Sequence, residues 1–220
     1  MSSVFDCSDT EQLLTGTREA RRAIGRGRLV VMPTDTVYGI AADAFSPDAV
    51  NALLEAKGRT RQSPPPVLIP SLNSLHALAE DVPEPIERAA EKFWPGALTI
   101  ILNARSSLNW DLGDTQGTVA LRIPDEPVAL AVLEETGPLA VSSANRHSQP
   151  AATTIDDAQQ QLGDSVEVYL DHGTSHSGLS STIIDATLFE VNGAVRIVRQ
   201  GGVTPEQLAE VIGDGKVLTE

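Results

Sequence analysis

The sequence predicts an α/β fold: a single domain with a twisted, mixed sheet flanked by helices. Amphipathic, helix-like segments alternate with short apolar runs such as Pro66–Ile69 and Leu139–Ser142, which are typical of strands buried on both faces. No helix is predicted between the last two strands, Thr182–Asp185 and Val195–Val198, which indicates a mixed sheet. The 220 residues show neither an internal repeat nor a proline- or glycine-rich linker, so 1–220 is interpreted as one domain.

The first half of the chain has clear helix boundaries. Apolar residues recur at helical spacing over Asp9–Ile24, and glycines follow them. Ser46-Pro47 is a cap followed by proline at the first helical position, and Gly58 ends that helix, so Lys57 and Arg59 lie at its exit. The other predicted elements here are strands at 28–32, 66–69 and 98–102 and helices at 71–79 and 85–93.

The second half continues the alternation after a polar, irregular segment, Arg105–Gly117, which we expect to be a mobile loop. The N-terminus, Met1–Thr10, is polar and acidic, and we expect residues 1–8 to be flexible. The remaining predicted elements are strands at 119–123, 139–142, 166–170, 182–185 and 195–198 and helices at 126–135, 155–162 and 205–212.

The charge balance argues against a general nucleic-acid-binding protein. Net charge is −14, from 16 basic and 30 acidic residues, whereas nucleic-acid affinity comes mainly from neutralising phosphates. Five arginines between Arg18 and Arg28 form either a solvated helix face or a local RNA patch, so at most weak RNA binding is expected. No apolar run is long enough for a membrane span, and no signal-peptide pattern is present. With Cys7 as the single cysteine, cytoplasmic residence is expected.

Two short segments carry the chemical signal. Lys57-Gly58-Arg59 places two cations on alternate residues, and Ser142-Ser143-Ala144-Asn145 is rich in hydroxyl and amide groups directly after a predicted strand. Together they supply positive charge and neutral donors for a polyanionic ligand. The segment containing His172 and His176 has a loop composition that does not favour a zinc site, and no complete phosphate-binding loop or nucleophile elbow occurs.

Further motifs surround these segments in a fixed order. They are Pro33-Thr34-Asp35-Thr36-Val37-Tyr38-Gly39, Phe93-Trp94-Pro95-Gly96, Thr118-Val119-Ala120-Leu121-Arg122, Ser180-Ser181-Thr182 and Val198-Arg199-Gln200-Gly201-Gly202. From about Gly25 to Thr204 this set resembles the YrdC-like family of threonylcarbamoyl-AMP synthases, a resemblance that implies the YrdC-like or DHBP synthase-like fold. It implies a nucleotidyltransferase that makes L-threonylcarbamoyl-AMP and pyrophosphate from L-threonine, bicarbonate and ATP.

The resemblance also implies cofactor, partners and biological role. Mg²⁺ is expected as the ATP counterion, held through the phosphates without a protein-only cage. The product would serve threonylcarbamoyladenosine (t6A) modification at position 37 of tRNA, through the tRNA threonylcarbamoyltransferase components.

Residue roles follow from matching motifs. Lys57, Arg59, Ser143 and Asn145 match the family's catalytic Lys-x-Arg and Ser-x-Asn pairs and are expected to contact ATP, together with Thr118 and Arg199. Threonine is expected to contact Thr34, Thr36, Tyr38, Ser63, Arg122 and Ser181, with Arg122 pairing with its carboxylate. From the residues alone, Arg122 could equally form a structural ion pair, Thr34-Asp35-Thr36 could be turn chemistry, and Trp94 is interpreted as a core residue.

Some positions depart from the family pattern. Thr60 stands where proline is common, Ser63 where histidine or asparagine is common, Ser148 where glycine is common, and Ala151 where a hydroxyl is common. These changes affect the neighbourhood of the expected threonine and phosphate contacts.

Two alternative functions remain open. One is carbamoyl-adenylate formation, as in larger hydrogenase-maturation proteins that share the fold and carry acylphosphatase and zinc-finger regions, which are not among these residues. The other is a non-enzymatic nucleotide or RNA binder, which the intact Lys57-x-Arg59 and Ser143-x-Asn145 pairs disfavour.

Overall fold

The computed structural model describes residues 2–175 and 178–219. Within this part of the chain the strands form one sheet, in the order β1-β8-β2-β3-β7-β4-β6-β5-β9-β10-β11. The strands are β1 Ser3–Asp6, β2 Val30–Met32, β3 Gly39–Asp43, β4 Val67–Leu68, β5 Leu98–Asn103, β6 Thr118–Arg122, β7 Leu139–Ser143, β8 Val168–Asp171, β9 Thr182–Asp185, β10 Val195–Arg199 and β11 Val217–Leu218. The helices are α1 Thr10–Gly25, α2 Pro47–Lys57, α3 Leu72–Leu78, α4 Glu84–Phe93, α5 Pro127–Thr136, α6 Ile155–Leu162, α7 Phe189–Asn192 and α8 Pro205–Ile212.

The sheet is mixed, which confirms the predicted fold class. β2 pairs parallel with β8 but antiparallel with β3, and β9 pairs parallel with β5 but antiparallel with β10. β3 is absent from the sequence-based assignment, although it lies centrally between β2 and β7. Its sequence, Gly-Ile-Ala-Ala-Asp, follows a polar turn and has weak strand propensity, so pairing with neighbours on both sides decides its conformation.

Helices cover both faces of the sheet. Along β2, Val30 and Met32 pack into an apolar cluster with α1 and α5, whereas Val31 packs into a second cluster with α2 and α6. Successive side chains of a strand point to opposite faces, so these two helix pairs lie on opposite sides. A third cluster joins α3, α4 and α8 to the β5 and β6 end of the sheet, and it contains Trp94, whose indole donates to Leu98 O at 2.7 Å. The interpretation of Trp94 as a core residue is confirmed.

The helix boundaries follow the predicted signals closely. Asp9 accepts from Gln12 N at 2.9 Å at the start of α1, and Ser46 accepts from Ala49 N at 3.3 Å at the start of α2. Gly58 ends α2 in the left-handed conformation, with φ of 67°.

The expected flexibility of residues 1–8 is wrong for the segment Ser3–Asp6. Its backbone pairs in parallel with β8, and Phe5 packs so closely on α1 that a Cβ at Gly16 would lie 2.9 Å from Phe5 Cβ. Cys7 is buried behind this strand, where desolvation and nearby carboxylates raise the pKa of its thiol to about 12. No helix of the described residues is long and apolar enough to cross a membrane.

Candidate active site

A cleft of about 300 Å³ crosses the central strands of the sheet. Thr118, Ala120 and Arg122 alternate along β6 and border the cleft, while Leu121 between them packs into the core. The end of β7 contributes Ser142 and Ser143. Other lining residues come from neighbouring strands and loops: Thr34, Thr36, Tyr38 and Gly39, Arg59 and Pro64–Pro66, Thr99 and Ile101, Leu112 and Thr115, and Ser180, Ser181 and Arg199.

Three arginines give the cleft its electrostatic character. Arg59, Arg122 and Arg199 line it, and among its described lining residues there is no carboxylate, although the chain carries a net charge of −14. Burial lowers the pKa of the Arg199 guanidinium, and the positive charges of Arg122 and Arg59 lower it further. A guanidinium beside two other cations is unfavourable without an anion, so the cleft is suited to an anionic ligand.

Arg122 is held rigidly at the end of β6. Its Nε donates to Gly96 O at 2.9 Å, one terminal nitrogen donates to Thr36 Oγ1 at 3.1 Å, and the other pairs with Asp35 Oδ1 at 2.5 Å. Burial lowers the pKa of the guanidinium, and Asp35 opposes this shift. The structural ion pair is therefore present, at a residue that also borders the cleft.

Arg199 is fixed by the neighbouring strand β9. Its Nε and one terminal nitrogen donate to Ser181 O at 3.1 and 2.8 Å, and that terminal nitrogen also contacts Ser181 Oγ at 3.1 Å. Ser181 Oγ is in turn 2.8 Å from Thr99 Oγ1. Arg199, which is predicted to contact the nucleotide, and Ser181, which is predicted to contact the substrate threonine, thus belong to one hydrogen-bonded group.

Arg59 approaches the end of β7 from the loop after α2. Its guanidinium lies 3.4 Å from Ser142 Oγ. The half-buried Arg59 and Ser143 both border the cleft, as the sequence motifs require for a shared phosphate site.

Lys57 and Asn145 adopt a different arrangement from the expected contact with ATP. The Lys57 ammonium is fully buried and donates to Ser143 O, to Asn145 O at 2.7 Å and to Asn145 Oδ1 at 3.2 Å. Asn145 Nδ2 donates to Arg146 O and Gln149 O at 2.9 and 2.7 Å. Neither residue lines the cleft; both brace the turn that presents Ser143, and their contact with phosphate stays a prediction.

The segment before β3 contains Thr36, whose Oγ1 accepts from Arg122. Thr34 Oγ1 donates to Val37 O at 2.6 Å and lies 3.0 Å from Thr36 Oγ1. Turn chemistry and cleft lining therefore coexist in this segment. Tyr38 borders the cleft, but its hydroxyl points away, donating to Gly173 O at 2.6 Å, and burial raises its pKa.

Two other predicted residues differ in their placement. Thr118 lines the cleft and donates through Oγ1 to Thr115 O at 2.8 Å. Ser63 does not line it; the adjacent prolines 64–66 do, so its threonine contact stays a prediction. Ser148 adopts a positive φ of 64°, a backbone conformation that favours glycine, the residue expected at this position from the family pattern.

Sequence reasoning missed the contributions of Asp35, Thr99 and Thr115. Asp35 lies between two threonines and was interpreted only as turn chemistry, although it pairs with Arg122 and accepts from Asp125 N at 3.0 Å. Thr99 belongs to an apolar strand, where nothing marks one hydroxyl as facing a ligand. His172 lies 2.9 Å from Glu126, His176 lies outside the described residues, and within residues 2–175 and 178–219 no group of three metal-ligating side chains occurs.

Comparison with known proteins identifies the family. The Sua5/YciO/YrdC family model, described as "Telomere recombination", matches residues 22–201. The chain belongs to the Sua5/YciO/YrdC family. A Mycobacterium leprae protein described as "Putative threonylcarbamoyl-AMP synthase" is 50% identical over 213 residues, which cover 97% of this chain and 95% of that protein. The Bacillus subtilis threonylcarbamoyl-AMP synthase is 34% identical, with 93% of this chain and 59% of that protein covered.

Solved structures superpose on most or all of the chain. Pyrococcus abyssi Sua5 complexed with L-threonine has a TM-score of 0.89 and 31% identity, covering 100% of this chain and 63% of that one. Escherichia coli YciO, at 21% identity and a TM-score of 0.81, shares the fold. The chain therefore spans about two thirds of the length of the Pyrococcus protein and nearly all of the mycobacterial one.

Proposed function

We propose that this protein is an L-threonylcarbamoyl-AMP synthase. The observation that carries the proposal is the convergence of Arg59, Arg122 and Arg199 on one cleft free of lining carboxylates in an acidic protein. Relatives of 34–50% identity bear the synthase name, and a relative of 31% identity binds L-threonine. The cleft volume of about 300 Å³ lies at the lower end of the range for small-molecule sites.

In the proposed reaction, the amine of threonine adds to bicarbonate with loss of water, giving a carbamate. A carbamate oxygen then attacks the α-phosphorus of ATP, the bond to the β-phosphate oxygen breaks, and pyrophosphate leaves. Two anions must meet in this step, and their repulsion is the main obstacle in a partly dry site. Cations fixed in position reduce this repulsion without having to reorganise during the reaction.

The three arginines suit different anionic groups. Arg122, oriented by Asp35 and Thr36, is proposed to face the threonine carboxylate, with Ser181 nearby. Arg59 and Arg199, on opposite sides of the cleft lining, are proposed to neutralise the phosphates, with Ser142, Ser143 and Thr118 as neutral donors. Lys57 is proposed to act here by holding Ser143 in place.

Mg²⁺ is proposed to enter with ATP. The cleft lining offers hydroxyls and arginines but no carboxylate among the described residues, so the ion would be held by phosphate oxygens and water. Its contribution would be to neutralise charge on the departing pyrophosphate.

The proposed partners are the tRNA threonylcarbamoyltransferase components that use the product for t6A formation, and residence in the cytoplasm is part of the same proposal. Direct RNA binding by the Arg18–Arg28 face has little support. Arg21 pairs with Glu135, Arg22 pairs with Glu19, and both Arg26 and Arg28 contact Glu167. These carboxylates compensate much of the positive charge that would attract phosphate.

The test is pyrophosphate release from ATP and Mg²⁺, with L-threonine and bicarbonate omitted singly and together. Arg59→Gln should lower release about ten- to a hundredfold, because a charge-assisted contact contributes about 1.5–3 kcal/mol. Arg88→Gln is the control, since Arg88 pairs with Glu84 on the exposed face of α4. Release that needs neither co-substrate would contradict the proposal, and release driven by carbamoyl phosphate would favour carbamoyl-adenylate formation instead.

A further inference from the structure

The loop Arg105–Gly117, hereafter the wall loop, forms one side of the cleft. Leu112 is 3% exposed and lines the cleft together with Thr115. At the end of the loop, Thr118 donates to Thr115 O through its backbone at 3.0 Å and through Oγ1 at 2.8 Å. The position of the wall loop therefore determines the shape of the cleft beside β6.

An arginine that the family motifs do not include fastens the wall loop. Arg61 donates to both carboxylate oxygens of Asp111, at 3.0 and 2.7 Å, and its Nε lies 3.5 Å from Asp114 Oδ1. Bidentate pairs of this kind have a defined geometry that a single lysine contact lacks. The pKa of the Asp111 carboxyl is lowered by its hydrogen bonds with Arg61 and with Gly113 N.

The backbone of the wall loop is shaped to receive Arg61. Asp114 N donates to Arg61 O at 2.8 Å, and Asp111 Oδ1 accepts from Gly113 N at 3.0 Å. Gly113 has φ of +104°, and a Cβ there would lie 2.7 Å from Arg61 O. Main-chain and side-chain contacts thus join the wall loop to the segment that carries Arg59 and prolines 64–66.

A second contact holds the wall loop next to the Arg61 pair. Trp110 stacks on Phe45, with ring centroids 5.5 Å apart and an angle of 28° between the planes. Trp110 directly precedes Asp111, so this stacking and the Arg61 pair hold adjacent residues.

We propose that Arg61 is a positioning residue whose pair with Asp111 and Asp114 latches the wall loop beside the cleft and so strengthens the binding of ATP. The role for ATP rests on the proposed function, whereas the latch itself does not. The two walls that Arg61 joins carry Arg59 on one side and Thr115 on the other, so the latch sets the separation between a phosphate-binding cation and the hydroxyls opposite. The pair is about half exposed, so we expect high salt to weaken it.

The latch can be measured without any ligand. The chain has two tryptophans, and Trp94 is 6% exposed, so acrylamide quenching of fluorescence reports mainly on Trp110. Arg61→Gln should increase the quenching constant at least about 1.5-fold, and the Trp110→Phe variant supplies the background from Trp94. Arg88→Gln is the matched control, since both arginine side chains are 47% exposed and paired with carboxylates. Unchanged quenching in Arg61→Gln would overturn the proposal.

The effect on the cleft is measured as ATP affinity by calorimetry. Arg61→Gln should weaken ATP binding about two- to fivefold, the range expected for an exposed ion pair, with a change in urea midpoint no larger than that of Arg88→Gln. In the pyrophosphate assay the KM for ATP should rise while kcat changes less. The exchanged pair Arg61→Asp with Asp111→Arg should recover part of the loss. Normal ATP affinity in Arg61→Gln would overturn the role of the latch, whereas failure of wild-type turnover would count against the proposed function alone.

Discussion

Replacing Lys57 by methionine would test whether this lysine builds the site or contacts ligand. The ammonium is fully buried and directs its donors at Ser143 O, Asn145 O and Asn145 Oδ1. Methionine has a similar length and volume, so Lys57→Met removes the donors without opening a large cavity. Asn145 O and Asn145 Oδ1 then lose a donor, whereas Ser143 O still accepts from Asn145 N at 2.9 Å.

The expected loss is about 2–4 kcal/mol of unfolding free energy at pH 7. Leaving a buried acceptor unsatisfied costs about 1–3 kcal/mol. This cost falls mainly on the two oxygens of Asn145, because Ser143 O keeps its hydrogen bond from Asn145 N. Part of this cost is offset, because methionine does not carry the desolvation penalty of a buried ammonium. Ser143 should also lose its fixed position, so ligand affinity should fall together with stability.

Urea unfolding with linear extrapolation measures this loss. Lys92→Met is the control, because Lys92 is exposed near the end of α4. A loss below about 0.5 kcal/mol, equal to that of the control, would refute the bracing role. If binding of ATP then disappeared without any loss of stability, direct contact between Lys57 and phosphate would be the better explanation.

Three further perturbations test individual contacts of the protein. Burial and Arg59 lower the pKa of Lys57 to about 7, so between about pH 7 and 10.5 the unfolded state binds more protons than the folded state. The stability of the wild type should therefore rise with pH relative to that of Lys57→Met, by at most about 1.4 kcal/mol per pH unit. A stability difference that stays constant with pH in urea titrations would contradict this. Asp35→Ala should lower the unfolding free energy by about 3 kcal/mol in thermal unfolding, because it leaves the Arg122 guanidinium buried without its carboxylate. Asp35→Asn keeps an acceptor and should cost clearly less. Equal losses in the two variants would argue against the ion pair. Gly201→Ala should lower the unfolding free energy by more than about 2 kcal/mol, because the new Cβ would lie 2.2 Å from Ser180 O. Gly25→Ala is the control and should change stability by less than about 1 kcal/mol, since there is open space around Gly25. Similar urea midpoints for the two variants would show that the turn at Gly201 adapts.

Local signals were sufficient for most helices and strands. Caps and glycines at Ser46 and Gly58 placed α2, since these residues satisfy backbone groups within one turn of themselves. The same local reasoning failed at β1 and β3. Ser3–Asp6 is short and mostly exposed, and it becomes a strand because it pairs in parallel with β8. Long-range pairing of this kind leaves little trace in a short segment.

The sequence indicates which residues belong to the site better than it indicates how their side chains are oriented. Arg59, Arg122, Arg199 and Ser181 were singled out from separate motifs, and the sheet brings all four to one cleft. The orientation of Lys57 and Tyr38 could not be predicted, because whether a polar side chain faces a ligand or a main-chain oxygen depends on which strand lies beside it.

The sequence by itself determined the fold class, the order of most elements and the family, because periodicity, caps and ordered motifs are properties of neighbouring residues. The tertiary structure decided which cations share the cleft and that Asp35 orients Arg122. It also decided that Arg61 joins two loops, since Arg61 and Asp111 are 50 residues apart in the sequence. Those contacts form when the strands of the described residues pair in one sheet, since distant segments then meet at fixed distances.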